Sequence, residues 1–188
     1  MSERNTVIRS LHDIGLDAWF GGSLMGVIGL NGAAAKAKDP TERLRLSSLG
    51  WARWAPVQLG AIALYGVGSV GLLLGDKGRQ AVQDEARTNS ALTIVFTGLA
   101  GTASVLGAIA GTVIGKSSAE GAPGVTESSA ANSDGLKAAQ RVEKVTQWAI
   151  PILTGVIVVL HAQQGELQRP AAGIGGTISK RAKGLLGR

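Results

Sequence analysis

The sequence predicts an all-α, polytopic membrane protein, a bundle of four transmembrane helices with an interfacial helix before the second span. Four apolar stretches are each about long enough to cross a bilayer, which takes roughly 17 to 25 helical residues. The chain also holds 28 glycines. Glycine is unfavourable in a water-soluble helix but lets two helices approach closely in lipid. We place the spans at about 14–35, 54–75, 90–115 and 145–162 within one membrane domain, 1–188.

The composition supports this class and excludes others. Apolar residues make up 45% of the chain and charged residues 17%, and the spans leave no room for a large separate soluble domain. Cysteine is absent from the sequence, which excludes disulfides and thiolate metal sites. The net charge is +6, but the basic residues flank apolar spans instead of clustering. We therefore expect the lipid bilayer and its anionic headgroups as partners, and no nucleic acid.

The second helix has a clear start signal. Asp39 can cap it, Pro40 suits its first position, and Glu42 can reach back to the cap. We expect this helix to lie along the interface and to turn inward at Pro56, which lacks a backbone N–H.

Two later segments are predicted to lie outside the spans. The segment 116–133 is rich in Ser, Gly and Ala, a composition typical of a flexible loop. The tail, 164–188, is basic and is expected to lie on anionic lipid through Lys180, Arg181, Lys183 and Arg188.

The basic residues predict the orientation of the chain, and the first span allows two interpretations. Lys and Arg residues are divided almost equally between the two sides, and the basic tail leads us to place the termini in the cytoplasm of a bacterial cell. An alternative interpretation makes the first span a cleaved signal peptide. Its acidic residues Asp13 and Asp17, and its full transmembrane length, argue against cleavage.

Small residues recur at four-residue spacing in three spans and predict faces for helix packing, within the chain or between copies. These residues are Gly22 and Gly26, Gly71 and Gly75, and Ala103, Gly107, Gly111 and Gly115. The run Gly66–Gly71 also matches a dinucleotide-binding fingerprint, but it lies inside an apolar span and lacks the preceding strand that such a site requires.

Polar residues inside spans are costly and therefore candidates for function. The sequence offers Asp17, Asn31, Gln58 and Tyr65, together with threonines whose hydroxyls can bond to their own helix. Asp17 could pair with a base or serve a proton path if it lies within the membrane, or it could mark the interface.

The two histidines, His12 and His161, are predicted to lie on the same side of the membrane. Two such residues on neighbouring helices could ligate a haem iron or contribute to a metal site, or they could simply reach toward interfacial water. His12 followed by Trp19-Phe20-Gly21-Gly22 resembles the first helix of small bacterial four-helix membrane families, including copper-resistance D-type proteins. This resemblance implies a four-helix unit that handles haem or metal, with His12 as a candidate ligand.

Three functional hypotheses follow. The first is a small, non-enzymatic integral membrane protein that self-associates or accompanies a membrane complex. The second is a pore or transporter subunit with a path lined by Asn31, Gln58 and the threonines. The third is a haem- or metal-binding redox protein that uses His12 and His161. The sequence shows no nucleophile with a base and acid beside it, as a hydrolase would need.

Overall fold

The computed structural model describes residues 6–75 and 84–167, and every regular element within these ranges is helical. A π-helical turn, Gly26–Leu30, joins the first two helices without a break, and a short 3-10 turn, Ser118–Glu120, follows the fourth. In chain order the α-helices are α1 (Thr6–Met25), α2 (Asn31–Ala34), α3 (Pro40–Gly75), α4 (Asp84–Lys116) and α5 (Asp134–Leu167). The predicted all-helical class is confirmed.

Three helices are long and apolar enough to cross a membrane, over Pro40–Leu74, Thr88–Lys116 and Asp134–Gln164. These correspond to the second, third and fourth predicted spans. The first predicted span is divided between α1, the π-helical turn and α2. α1 has 20 residues and carries Arg9, Asp13 and Asp17, so it lacks the long uncharged stretch that each of the other three helices contains.

The helices form two antiparallel pairs, α1 with α3 and α4 with α5. α1 also packs on α5, and this contact joins the pairs, whereas α3 and α4 touch only locally. The start of α1 and the end of α5 lie at one end of the bundle, which we call the terminal end. Residues 117–133 lie at the other end, which we call the loop end. The weak contact between α3 and α4 leaves space beside them at the terminal end.

Two glycines set the distance between α1 and α3. A side chain at Gly15 would collide with the backbone of Ala61 and Tyr65, and one at Gly68 would come within 2.5–2.6 Å of the backbone of His12. Such contacts are shorter than van der Waals separation, so each helix approaches the other at a glycine of its partner. Neither residue belongs to the repeats singled out in the sequence.

The repeat Gly22 and Gly26 has a different role from the backbone approach that we expected. The rings of Trp54 and Trp51 on α3 lie directly over these two glycines, where a side chain would collide with them. Gly71 similarly faces the side chain of Ile8. These glycines therefore receive large side chains from the opposite helix.

The predicted stripe on α4 is only partly on the buried face of that helix. Gly107 lies against Thr146 of α5 and Gly115 against Ser48 of α3, but nothing lies within 4 Å of a side chain built at Gly111. A four-residue step exceeds one turn of 3.6 residues, so a strict four-residue repeat rotates away from a fixed partner. The buried residues of α4 include Ala100, Ala103, Ala110 and Ile114, and together with the half-buried Gly107 they follow alternating steps of three and four residues.

The interfacial helix expected before the second span is not a separate element. Asp39 caps α3 as predicted, its carboxylate accepting the Thr41 N–H at 2.8 Å, but α3 then runs unbroken through Pro56 to Gly75. A proline in a helix leaves only one carbonyl, four residues earlier, without its usual donor, and packing can hold the helix together across it. The same helix contains Gly66–Gly71, so these glycines form no phosphate-binding turn.

The segment after α4, expected to be a flexible loop from its composition, has a defined path. Ala122 and Val125 are buried, and the buried amide of Gln140 on α5 donates to the backbone carbonyls of Gly124 and Glu127. Gly121 has φ +65°, a left-handed conformation that favours glycine. A polar side chain from the next helix thus supplies hydrogen bonds that the segment's own composition does not reveal.

Candidate functional site

Three rings from three helices meet at the terminal end of the bundle. The ring centroids of His12 on α1 and His161 on α5 are 4.4 Å apart, and Tyr65 on α3 lies 4.9 Å from His12 and 6.1 Å from His161. The sequence predicted only that the two histidines share a side of the membrane. The structure brings them into contact and adds Tyr65. We call these three residues the ring cluster.

A carboxylate fixes one of the two imidazoles. Nδ1 of His12 lies 2.8 Å from the Asp13 carboxylate, and the His12 side chain is buried while Asp13 is exposed. An ionised carboxylate accepts the Nδ1–H, which leaves Nε2 of a neutral imidazole as an acceptor. His12 is therefore oriented and polarised from the edge of the bundle.

Hydrogen bonds between helices hold the rest of the site in place. The Tyr65 hydroxyl lies 3.0 Å from Oγ1 of Thr97 on α4, and it is the direct polar link between α3 and α4 near the ring cluster. The Trp19 indole N–H donates to Oγ of Ser104 at 3.2 Å. Trp19 is 1% exposed and packs 6.0 Å from the Tyr65 ring. Neutral side chains thus connect α1, α3 and α4 around the rings.

Two polar atoms near the rings, Nδ1 of His161 and Oγ1 of Thr93, are buried and have no hydrogen-bond partner in the part of the chain that the structure describes. A buried polar atom without a partner costs about 1–3 kcal/mol. Both residues line the same cavity.

The cavity has a volume of about 690 Å³ and lies between α3 and α4, with α1 and α5 behind it. Apolar side chains such as Leu16, Ile62 and Val158 form much of its wall, and the ring cluster and Thr97 add polar groups. Arg9, Asp13 and Asp17, all exposed, line it from α1. Asp17 thus lies at the cavity and remains accessible.

The ring cluster does not fit a haem held between the two histidines. A metal–imidazole bond is about 2 Å long, so two rings on opposite sides of one iron have centres about 6 Å apart. The observed separation is 4.4 Å, and the rings touch without space for a macrocycle. Among the described residues no group of three or more His, Asp or Glu side chains is arranged to hold a metal ion.

The other predicted polar residues lie elsewhere. Asn31, which is buried, accepts hydrogen bonds from Ser47 at 2.8 Å and Trp51 at 2.9 Å and donates to Gln147 at 3.1 Å. It joins α2, α3 and α5 at the loop end. Gln58 is half-buried on α3. The predicted lipid-facing residues Lys180, Arg181, Lys183 and Arg188 lie outside the described residues.

Sequence reasoning missed one buried acid, Glu143 on α5. Its side chain is 8% exposed, and no residue within 6–75 or 84–167 forms a hydrogen bond with Oε2. It lies opposite Gly107, where the absence of a side chain leaves room for it. The signal was available in the sequence, because Leu136, Ala139 and Glu143 follow the three-and-four spacing of a buried helix face.

No protein-family model, curated protein or solved structure matches this chain. The fold and the cavity therefore carry the functional argument.

Proposed function

We propose that this chain is a small, non-enzymatic integral membrane protein whose four helical segments cross the bilayer, and that it associates with itself or with another membrane protein. One observation carries the proposal. Large apolar side chains face outward along every long helix, for example Leu59 on α3 (68% exposed), Ile94 on α4 (62%) and Ile152 on α5 (61%). Apolar side chains exposed in this number are costly in water and favourable in lipid.

The outer face of α4 is the best surface for association. No neighbouring atom of the described residues lies within 4 Å of the place that a Cβ atom would take at Gly98, and Val105 and Ile109 are 60% and 58% exposed. The hydroxyl of Thr102 on this face donates to the Gly98 carbonyl at 2.9 Å, so its polarity is satisfied within the helix. A glycine four residues from a threonine allows another helix to come close in lipid.

Membrane integration is tested first, on tagged protein in isolated membranes. Alkaline carbonate removes peripheral proteins, so the chain should stay in the pellet and enter solution only with detergent. Release by carbonate would contradict the proposal.

Association is tested by the mass of the purified protein in mild detergent. Wild type should give a defined oligomer or a complex with a partner, and Gly98→Leu should shift it toward a monomer. Gly60→Leu is the matched control, because Gly60 on α3 is equally uncovered. A wild-type monomer without a partner, or an equal effect of both substitutions, would contradict an association face on α4.

The two alternative functions have less geometric support. A pore lined by Asn31, Gln58 and threonines would need these residues along one path, yet Asn31 has its amide engaged at the loop end and Thr102 lies on the outer face. A redox role through a haem held between His12 and His161 is opposed by the direct contact of their rings.

A further inference from the structure

We infer that the cavity between α3 and α4 binds a neutral, lipid-soluble molecule with a flat ring that carries carbonyl or hydroxyl oxygens, a quinone-class compound, entering from the bilayer. The inference assumes the proposed insertion into the membrane, and it adds a ligand that neither association nor an accessory role requires.

The size and position of the cavity support this ligand class. Its volume of about 690 Å³ lies within the range of about 300–1,000 Å³ that holds small-molecule ligands. It lies where α3 and α4 barely touch, so a molecule dissolved in lipid can enter between these helices.

The wall chemistry indicates an uncharged ring. The residues of α3 and α4 that line the cavity are apolar or carry hydroxyl groups, and the latter include Ser69, Thr93 and Thr97. The charged residues on its wall, Arg9 and the two aspartates of α1, are exposed and of both signs. A charged ligand would lose its hydration against the apolar wall of the cavity and would find no buried counter-ion among the lining residues.

The ring cluster and the unpartnered atoms supply the recognition. Tyr65 and the two histidines line the cavity, and aromatic side chains favour packing beside a flat ring. Among the described residues, the Thr93 hydroxyl has no hydrogen-bond partner, and a carbonyl oxygen on the ligand is a suitable acceptor after a small rotation of that side chain. Binding would thus satisfy a group that the fold alone leaves unsatisfied.

The test uses full-length protein in lipid nanodiscs, with decylubiquinone as the probe and tryptophan fluorescence as the readout. Quinones quench nearby indoles, and Trp19 lines the cavity. We expect a saturable quenching component in wild type that disappears in Trp19→Phe. Quenching that rises linearly with the ratio of probe to lipid would show partitioning alone and would overturn the inference.

Two pairs of variants make the test specific to the cavity. Gly66 and Gly101 line the cavity, and no neighbouring atom of the described residues lies within 4 Å of a Cβ atom placed at either position. Gly66→Leu and Gly101→Leu should therefore fill the cavity without a clash at Cβ. Each substitution should weaken binding at least tenfold. Gly60→Leu and Gly111→Leu are the matched controls, because both glycines are equally uncovered and neither lines the cavity. Equal affinity in all four variants would overturn the inference.

Thr93→Val preserves shape and removes only the unpartnered hydroxyl. It should weaken binding about three- to tenfold, the value of one hydrogen bond, while helicity and elution volume stay unchanged. Unchanged affinity would overturn the role of Thr93, and the filling variants would then decide whether the cavity binds the probe. Carbonate extraction separates the two proposals: protein that stays in the membrane without saturable quenching contradicts only the ligand, whereas protein released by carbonate contradicts the membrane function.

Discussion

Asn31 shows how one polar side chain can organise the loop end of the bundle. It follows a π-helical turn, and its amide group bonds to residues of both α3 and α5. Its sequence position suggested a polar group facing a path through the membrane. Its partners show that it fastens helices together, and no sequence pattern reveals partners so distant in the chain.

Asn31→Ala should lower the free energy of unfolding by about 1–3 kcal/mol, because Ser47, Trp51 and Gln147 would each lose a partner. Reversible unfolding in mixed micelles with increasing SDS measures the change. Thr112→Ala is the control, since its exposed hydroxyl bonds only to its own helix, at Ala108. Equal stability of the two variants would show that the Asn31 bonds contribute little.

At the scale of helices, the α1–α3 contact depends on glycines from both partners. Gly68→Ala should destabilise the protein by about 1–3 kcal/mol, because the added methyl group would meet the His12 backbone, which cannot move aside alone. Gly60→Ala, on the uncovered face of the same helix, should be neutral or stabilise by up to about 1 kcal/mol. Thermal unfolding of both variants in one detergent compares them. A stable Gly68→Ala variant would contradict the close crossing.

The loop between α4 and α5 gives a pH dependence. The Glu120 carboxylate accepts hydrogen bonds from the Ser133 backbone N–H at 2.7 Å and its hydroxyl at 2.8 Å, and these bonds hold the pKa of Glu120 below its usual value of 4.5. A lowered pKa in the folded state means that the interaction stabilises above the usual pKa. This contribution is lost as the pH falls through the folded-state pKa.

Glu120→Gln should therefore lower the unfolding temperature slightly at pH 7, and the difference from wild type should shrink as the pH falls below 4.5. Unfolding of both proteins at pH 7 and at lower pH, in the same detergent, measures this difference. A difference that stays constant with pH would show that the charge of Glu120 does not support the loop.

Local signals in the sequence were sufficient for some elements and insufficient for others. Asp39 and Pro40 mark the start of α3 correctly, because a cap depends on adjacent residues. Pro56 gives no break, because packing along a helix outweighs one missing hydrogen bond. The contact of His12 with His161 depends on how two helices rotate against each other, and a sequence period fixes which face is buried but not which residues touch across it.

At the scale of the whole molecule, four crossings would place the α2–α3 connection and the loop before α5 on the same side. The sequence contains no cysteine, so a single introduced cysteine can report on which side of the membrane its position lies. Lys36→Cys and Ser128→Cys, both at exposed positions of the loop end, should react with an impermeant maleimide from one side of sealed vesicles, and Ser10→Cys from the other. Labelling of Lys36→Cys and Ser128→Cys from opposite sides would contradict four crossings.

The sparse contact between α3 and α4 also bears on how the chain is assembled. Each antiparallel pair is made of neighbours in sequence, so each pair can be inserted and folded before the other arrives. A gene divided between the codons for Gly75 and Asp84 should then yield two halves that recombine in the membrane, held by the α1–α5 contact. The chain would then consist of two helical hairpins that fold separately and associate, with the cavity between them.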